Sequence, residues 1–170
     1  MGFKEVNIET LEFNPFTKIG KEWMLITAGD EKKHNTMTAS WGGVGIMWGK
    51  SVVAAYIRPQ RYTKEFVDEQ ETFTLSFYDE TYRKALSICG SKSGRDCEKE
   101  KEAGLTPYYV DGTTAFEEAN MIFVCRKLYC QEMGPQYFTQ NDGIDEKWYP
   151  QKDYHVMYMA EIIKVLVKEI

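Results

Sequence analysis

A chain of 170 residues suits one domain with a sizeable core, or one half of a dimer that shares a core at its interface. A formal net charge of −5 argues against a nucleic-acid surface, which is built from an excess of Lys and Arg. No run approaches the roughly 18 apolar residues that span a bilayer, so a soluble, cytoplasmic protein with no membrane partner is expected.

Eleven Tyr, nine Phe and four Trp favour strands and provide flat faces for stacking a ring. The four cysteines, Cys89, Cys97, Cys125 and Cys130, form no CxxC pair, and neither His34 nor His155 stands at zinc-ligand spacing from them. Reduced structural thiols and no metal site are expected. If Cys125 and Cys130 share a strand, their odd separation puts them on opposite faces.

Residues 3–11 loosely alternate, Asn14-Pro15 breaks the pattern, and residues 23–28 read as a buried strand closed by Gly29-Asp30. Residues 37–63, MTASWGGVGIMWGKSVVAAYIRPQRYT, are the stretch around which the chain is organised. Strand-like runs at 36–41 and 51–57 are separated by Gly42, Gly43, Gly45 and Gly49, and the basic segment RPQRYT follows. Thr38, Ala39, Ser40, Gly42 and Gly43 would let a flat or elongated ligand approach the main chain. Arg58 and Arg61 carry forked donors suited to a phosphate, and Thr63 would cap a helix over 64–70 whose first amides face the same anion. The stretch holds no GxGxxG and no GxxxxGK[ST], and solvated arginines after a glycine-rich turn remain the plainer reading.

Over residues 72–78, Phe73, Leu75 and Phe77 alternate with Thr74 and Ser76, which predicts a half-buried strand. A helix over 80–88 runs into Cys89-Gly90-Ser91-Lys92-Ser93-Gly94-Arg95-Asp96, where hydroxyls and two cations recur. This loop is either a second contact for the same ligand or a mobile surface segment, and Asp96 would cap a charged helix ending near Gly104. Further strands are predicted at 105–110, 119–133 and 155–167, with residues 134–150 as a long excursion that lids a site or reaches a partner. Six or more strands too closely spaced for βαβ units make a mainly β, largely antiparallel barrel with a few short helices, in a single domain over 1–170.

The segments HNTMTASWGG, AAYIRPQRYT, CGSKSGRDCEKEKEAGL and HVMYMAEIIKVL, in that order, resemble the flavin reductase-like, FMN-binding split-barrel proteins that include the flavoredoxins. The resemblance runs from about Lys18 to the C-terminus. It implies a six-stranded antiparallel split barrel, a homodimer, and one FMN per subunit in a groove near the interface. Met37, Thr38, Ala39, Ser40, Trp41 and Gly42 would follow the flavin ring and ribityl chain, with Thr38 and Ser40 as hydroxyl contacts. Arg58, Pro59, Gln60, Arg61, Tyr62 and Thr63 would receive the phosphate, one arginine touching it and the other bracing the loop. Cys89, Gly90, Ser91, Lys92 and Ser93 would close over the cofactor, with Gly94, Arg95 and Asp96 shaping that loop and His155 near the reacting face.

The family often has another residue in place of Trp41, which could stack on the flavin, narrow access, or pack in the barrel; Trp48 is expected in the core. The implied activity is hydride transfer from NAD(P)H to flavin and on to free flavin, oxygen or a redox partner protein. The alternative is a flavoredoxin-like electron carrier that keeps its FMN and does not use nicotinamide. A barrel with no flavin is a third reading.

Overall fold

The computed structural model describes residues 2–169. In chain order its strands are β1 (Phe3–Val6), β2 (Met24–Gly29), β3 (His34–Ala39), β4 (Gly42–Met47), β5 (Lys50–Ile57), β6 (Thr72–Phe77), β7 (Pro107–Val110), β8 (Thr113–Phe116), β9 (Met121–Glu132) and β10 (Val156–Lys168). The helices are α1 (Pro15–Lys18), α2 (Tyr62–Glu69), α3 (Arg83–Ser91), α4 (Lys99–Ala103) and α5 (Ile144–Trp148).

The main sheet runs β3-β2-β6-β9-β10-β5-β4, every pairing antiparallel, so β3 and β4 lie at its opposite ends. Yet only Ser40 and Trp41 separate the two strands in the chain. Three steps of backbone span about 11 Å at most, so the sheet must curl until its ends nearly meet. The barrel is therefore closed by covalent chain instead of a β3–β4 ladder, and its split lies at Ser40 and Trp41.

This is the expected split barrel, with more strands than six. Eight strands share the sheet, because β1 also pairs the last part of β10 beyond the segment that β5 covers. Residues 42–47, whose glycines read as a separator, form the edge strand β4. Gly42 opens it at φ +155, and a Cβ there would stand 3.0 Å from the Ala54 carbonyl oxygen, so the glycine answers to packing. The hairpin β7–β8 was only half predicted, since Thr113–Phe116 is too short and too mixed to show a period.

Two apolar clusters hold the fold. Phe73, Leu75, Phe77, Phe123, Val53 and Ile57 fill the barrel, while Leu25, Leu86, Ile122, Phe116 and Tyr78 pack beneath α3 and the β7–β8 hairpin. The second layer makes β6 buried on both faces instead of one: Thr74 and Ser76 are fully covered, and the Thr74 hydroxyl donates to the Thr114 carbonyl at 2.7 Å. Cys125 and Cys130 do share β9, but a register shift opposite Met159 and Ala160 inserts Leu128, which returns both cysteines to one face. Trp48 is no core residue; it sits 54% exposed at the β4–β5 turn, its ring 6.1 Å from that of Tyr129. Among the described residues no helix is long and apolar enough to cross a membrane.

Candidate functional site

A cavity of about 170 Å³ opens at the split of the barrel. Met37, Thr38, Ala39, Ser40 and Trp41 line one side, and Tyr56, Arg58, Arg61 and His155 the other. The arrangement follows from topology: the end of β3 faces the end of β5 and the start of β10 across the gap. The Thr38 hydroxyl donates to the Leu86 carbonyl of α3. Ser40 has no such tie. Pockets for small molecules usually run from roughly 300 to 1,000 Å³, so one chain encloses only part of a cofactor-sized ligand.

The two arginines do different work. Arg58 braces the excursion before β10: Nη1 lies 2.8 Å from Asp153 Oδ2, Nη2 donates to the Trp148 carbonyl at 2.9 Å, and its guanidinium carbon sits 4.9 Å from the centre of the Tyr149 ring. Arg61 donates through Nη1 to the Gly90 carbonyl at 3.1 Å, but its Nη2 is buried with no hydrogen-bond partner among the described residues. Burial lowers the pKa of this guanidinium below its ordinary value without threatening its charge.

Beside it stands a cation that the sequence did not mark. Lys99 is 3% exposed, and its Nζ donates to the Thr36 carbonyl at 2.9 Å and the Cys89 carbonyl at 3.0 Å. Burial first, and the Arg61 charge second, bring its ammonium down to about 8. Among the described residues neither Lys99 nor Arg61 forms a salt bridge to a carboxylate. Together they supply donors to consecutive carbonyls at the C-terminal end of α3, where the helix dipole is negative. In sequence Lys99 lies within EKEKE, which reads as a solvated face, and nothing local distinguishes it.

The other residues named from sequence surround the cavity without lining it. Thr63 is 1% exposed and its hydroxyl accepts from Asn35 Nδ2 at 2.8 Å. Nor is it the cap of α2, a position that Arg61 occupies without a side-chain hydrogen bond. Gln60 donates to Asp153 at 2.8 Å, Tyr62 lies under the Arg95 guanidinium at 4.5 Å, and Pro59 is exposed. Cys89 is fully buried in the last turn of α3, its thiol pushed up to about 11 by burial. Ser91 returns its hydroxyl to the Ser87 carbonyl, Lys92 pairs with Glu102, and Ser93 accepts from the Arg95 amide. Cys89, Gly90 and Ser91 are thus the last turn of α3 and not a loop, and this turn reaches Arg61 through the Gly90 carbonyl. A Cβ at Gly90 would stand 3.2 Å from that of Thr38, and one at Gly94 would overlap Asn35 Oδ1. The charged helix is capped at Glu98, two residues later than Asp96.

The mouth of the cavity is aromatic. The Trp41 ring, 39% exposed, lies 5.1 Å from Trp148 at 85° and 5.1 Å from His155 at 49°. Trp148, near the end of the excursion, thus reaches the split, whereas Gly134, Tyr137 and Phe138 line another groove. Burial, with a smaller contribution from Arg58, brings the His155 pKa down to about 4, so the ring is neutral at pH 7. Its Nδ1 is 2.7 Å from the Tyr149 hydroxyl, whose own pKa is raised by burial. Both rings are thus neutral, and the hydrogen bond ties the Tyr149 hydroxyl to Nδ1 of His155.

Against this geometry, the sequence matches the family described as "Flavin reductase like domain" over residues 16–169. The chain belongs to the flavin reductase-like family. Solved structures agree in fold. An FMN-binding domain of a flavin reductases-like enzyme from Shewanella baltica OS155 aligns with a TM-score of 0.69 at 14% identity, over 98% of this chain and 77% of that one. Flavoredoxin of Desulfovibrio vulgaris (Miyazaki F) gives 0.67 at 21%, over 86% and 69%. An FMN-binding protein from Thermus thermophilus with bound p-hydroxybenzaldehyde gives 0.65 at 18%, over 86% and 71%. No curated protein matches the chain. For this flavin reductase-like protein, likenesses at such identities speak to the split barrel alone.

Proposed function

We propose that the chain binds FMN in the split of the barrel, with the phosphate at Arg61 and the ring along residues 37–41, and acts as an NAD(P)H-dependent flavin reductase. The observation that carries the cofactor assignment is Arg61, which lines the cavity and whose buried Nη2 has no hydrogen-bond partner among the described residues. A buried donor left unmade costs about 1–3 kcal/mol, more for a charged group, and a phosphate oxygen would satisfy it. Lys99 adds a second positive charge behind it, in a protein whose overall charge is −5.

The remaining residues fit the rest of the molecule. Ala39, Ser40 and the main chain beside them present small groups to a flat ring, and Ser40 offers a hydroxyl. Trp41 and Trp148 meet edge to face at the mouth as surfaces for a flat ring, and neutral His155 stands beside Trp41. Arg58 is a positioning residue that holds the excursion bearing Trp148. Bound FMN would supply hydride or electron exchange, chemistry that needs no acid, base or nucleophile from the chain.

The partial enclosure supports a homodimer in which a second subunit completes the site. Ile46, Met47 and Trp48, 74%, 41% and 54% exposed on the β4–β5 hairpin, offer an apolar surface for it. The Trp41–Trp148 cover favours a second reading, a flavoredoxin-like carrier that retains FMN and passes electrons to a redox partner protein.

Anaerobic addition of NADH or NADPH to the FMN-loaded protein separates the two. Bleaching of the flavin absorbance by either nucleotide supports the reductase, whereas inertness to both with FMN retained through dialysis supports the carrier.

A further inference from the structure

Tyr56 separates two openings. One is the cavity at the split; the other is a groove of about 280 Å³ whose lining includes Tyr56 but none of the other residues of the cavity. The register pairs Met157 with Tyr56 on one side and with Gln131 on the other, so the three residues form a row across β5, β10 and β9. Met133, Tyr137 and Phe138, from the chain leaving β9, stand over that row as a wall.

We propose that this groove binds a neutral compound of one or two rings, placed against the far side of Tyr56 from the cofactor cavity. Its surface is mostly thioether and aromatic, which suits a flat apolar body. Tyr137 and Met133 are 65% and 39% exposed, so the wall keeps apolar area in water that an occupant would cover. Glu132 is the one charged residue among the described groove residues, and no cation lines it. A phosphate-bearing ligand would find no countercharge there and would meet a carboxylate. The volume sits at the small end of ligand sites, in keeping with a ring system and not a dinucleotide. That the occupant is the second substrate of the cavity rests on the FMN reading; that the groove takes a ring does not.

The test uses the full chain, with 2-naphthol as the neutral probe and 2-naphthyl phosphate as its charged counterpart, read by amide shifts in NMR spectra. FMN is titrated separately by flavin fluorescence. The expected result is that 2-naphthol moves the amides of residues 131–138 and 156–158, and that the phosphate ester binds at least about tenfold more weakly. Met157→Arg, which puts a cation on the groove floor, should weaken 2-naphthol by about tenfold, and Phe138→Ala by several-fold should the arginine variant not fold. FMN failing to bind while 2-naphthol still moves the groove leaves this proposal standing and removes the FMN reading. Shifts confined to other regions, equal binding of both probes, or unchanged affinity in both variants would overturn it. So would a groove silent to the probe whose Met157→Arg variant turns a dimer into monomers, because a second copy of the chain would then be its occupant.

Discussion

Arg61 and Lys99 hold consecutive carbonyls at the end of α3, Gly90 through Nη1 at 3.1 Å and Cys89 through Nζ at 3.0 Å. Two cations that carboxylates would ordinarily neutralise are set side by side, and the backbone of one helix end is their shared anchor. Arg61 lines the cavity at the split, with the Lys99 charge close by.

Lys99→Met keeps the stem but leaves the Thr36 and Cys89 carbonyls without their donor. Relief of a desolvated charge offsets part of that loss, and the net destabilisation expected in urea unfolding is about 1–2 kcal/mol. FMN affinity should also fall, since one of the two charges at the proposed phosphate site is gone. A variant as stable as the parent would show that the ammonium gives nothing to the fold.

Arg58→Ala should act through the excursion. Without the bonds to Trp148 and Asp153, residues 148–153 lose their hold on the site and Trp148 leaves Trp41. FMN and riboflavin should then weaken by a similar factor and dissociate faster. A loss confined to FMN would make Arg58 a phosphate ligand.

His155 supplies a pH dependence with a definite sign. Its pKa is about 4 in the fold against 6.5 unperturbed, so between these values the unfolded chain binds more protons. The stabilisation is complete above about pH 6.5 and is lost as the pH falls through 4. The size is roughly 3 kcal/mol by linkage. In denaturant titrations at pH 7 and pH 4, His155→Gln should lose about that much less than the parent; identical acid limbs would refute the assignment.

Gly94→Ala would force a methyl group into Asn35 Oδ1. The loop must shift, and with it the Asn35–Thr63 bond that ties β3 to α2. A destabilisation of about 1–3 kcal/mol is expected, with faster hydrogen exchange across residues 91–97. Unchanged exchange there would mean the loop yields freely.

Much of the barrel was legible because β2, β6, β9 and β10 carry long apolar patterns. β4 was hidden because glycine leaves no side chain for a period to show. Residues 37–41, Arg58, Arg61 and His155 could be named because small residues followed by arginines are a local signal. What separates Arg58 from Arg61 is not local: their partners, Trp148 and Asp153 against Gly90, lie far along the chain and meet them only in the fold. Lys99 was illegible for the same reason, its burial being set by the approach of α4 to α3 and β3.

The proposed seat of the FMN phosphate is the unpartnered guanidinium of Arg61. Fluorescence titration of FMN and riboflavin against the parent and Arg61→Ala tests it most directly. A loss of about ten- to a hundredfold is expected for FMN with riboflavin nearly unchanged, the worth of a charge-assisted bond. Equal losses for both flavins, or no FMN binding by the parent at all, would contradict it.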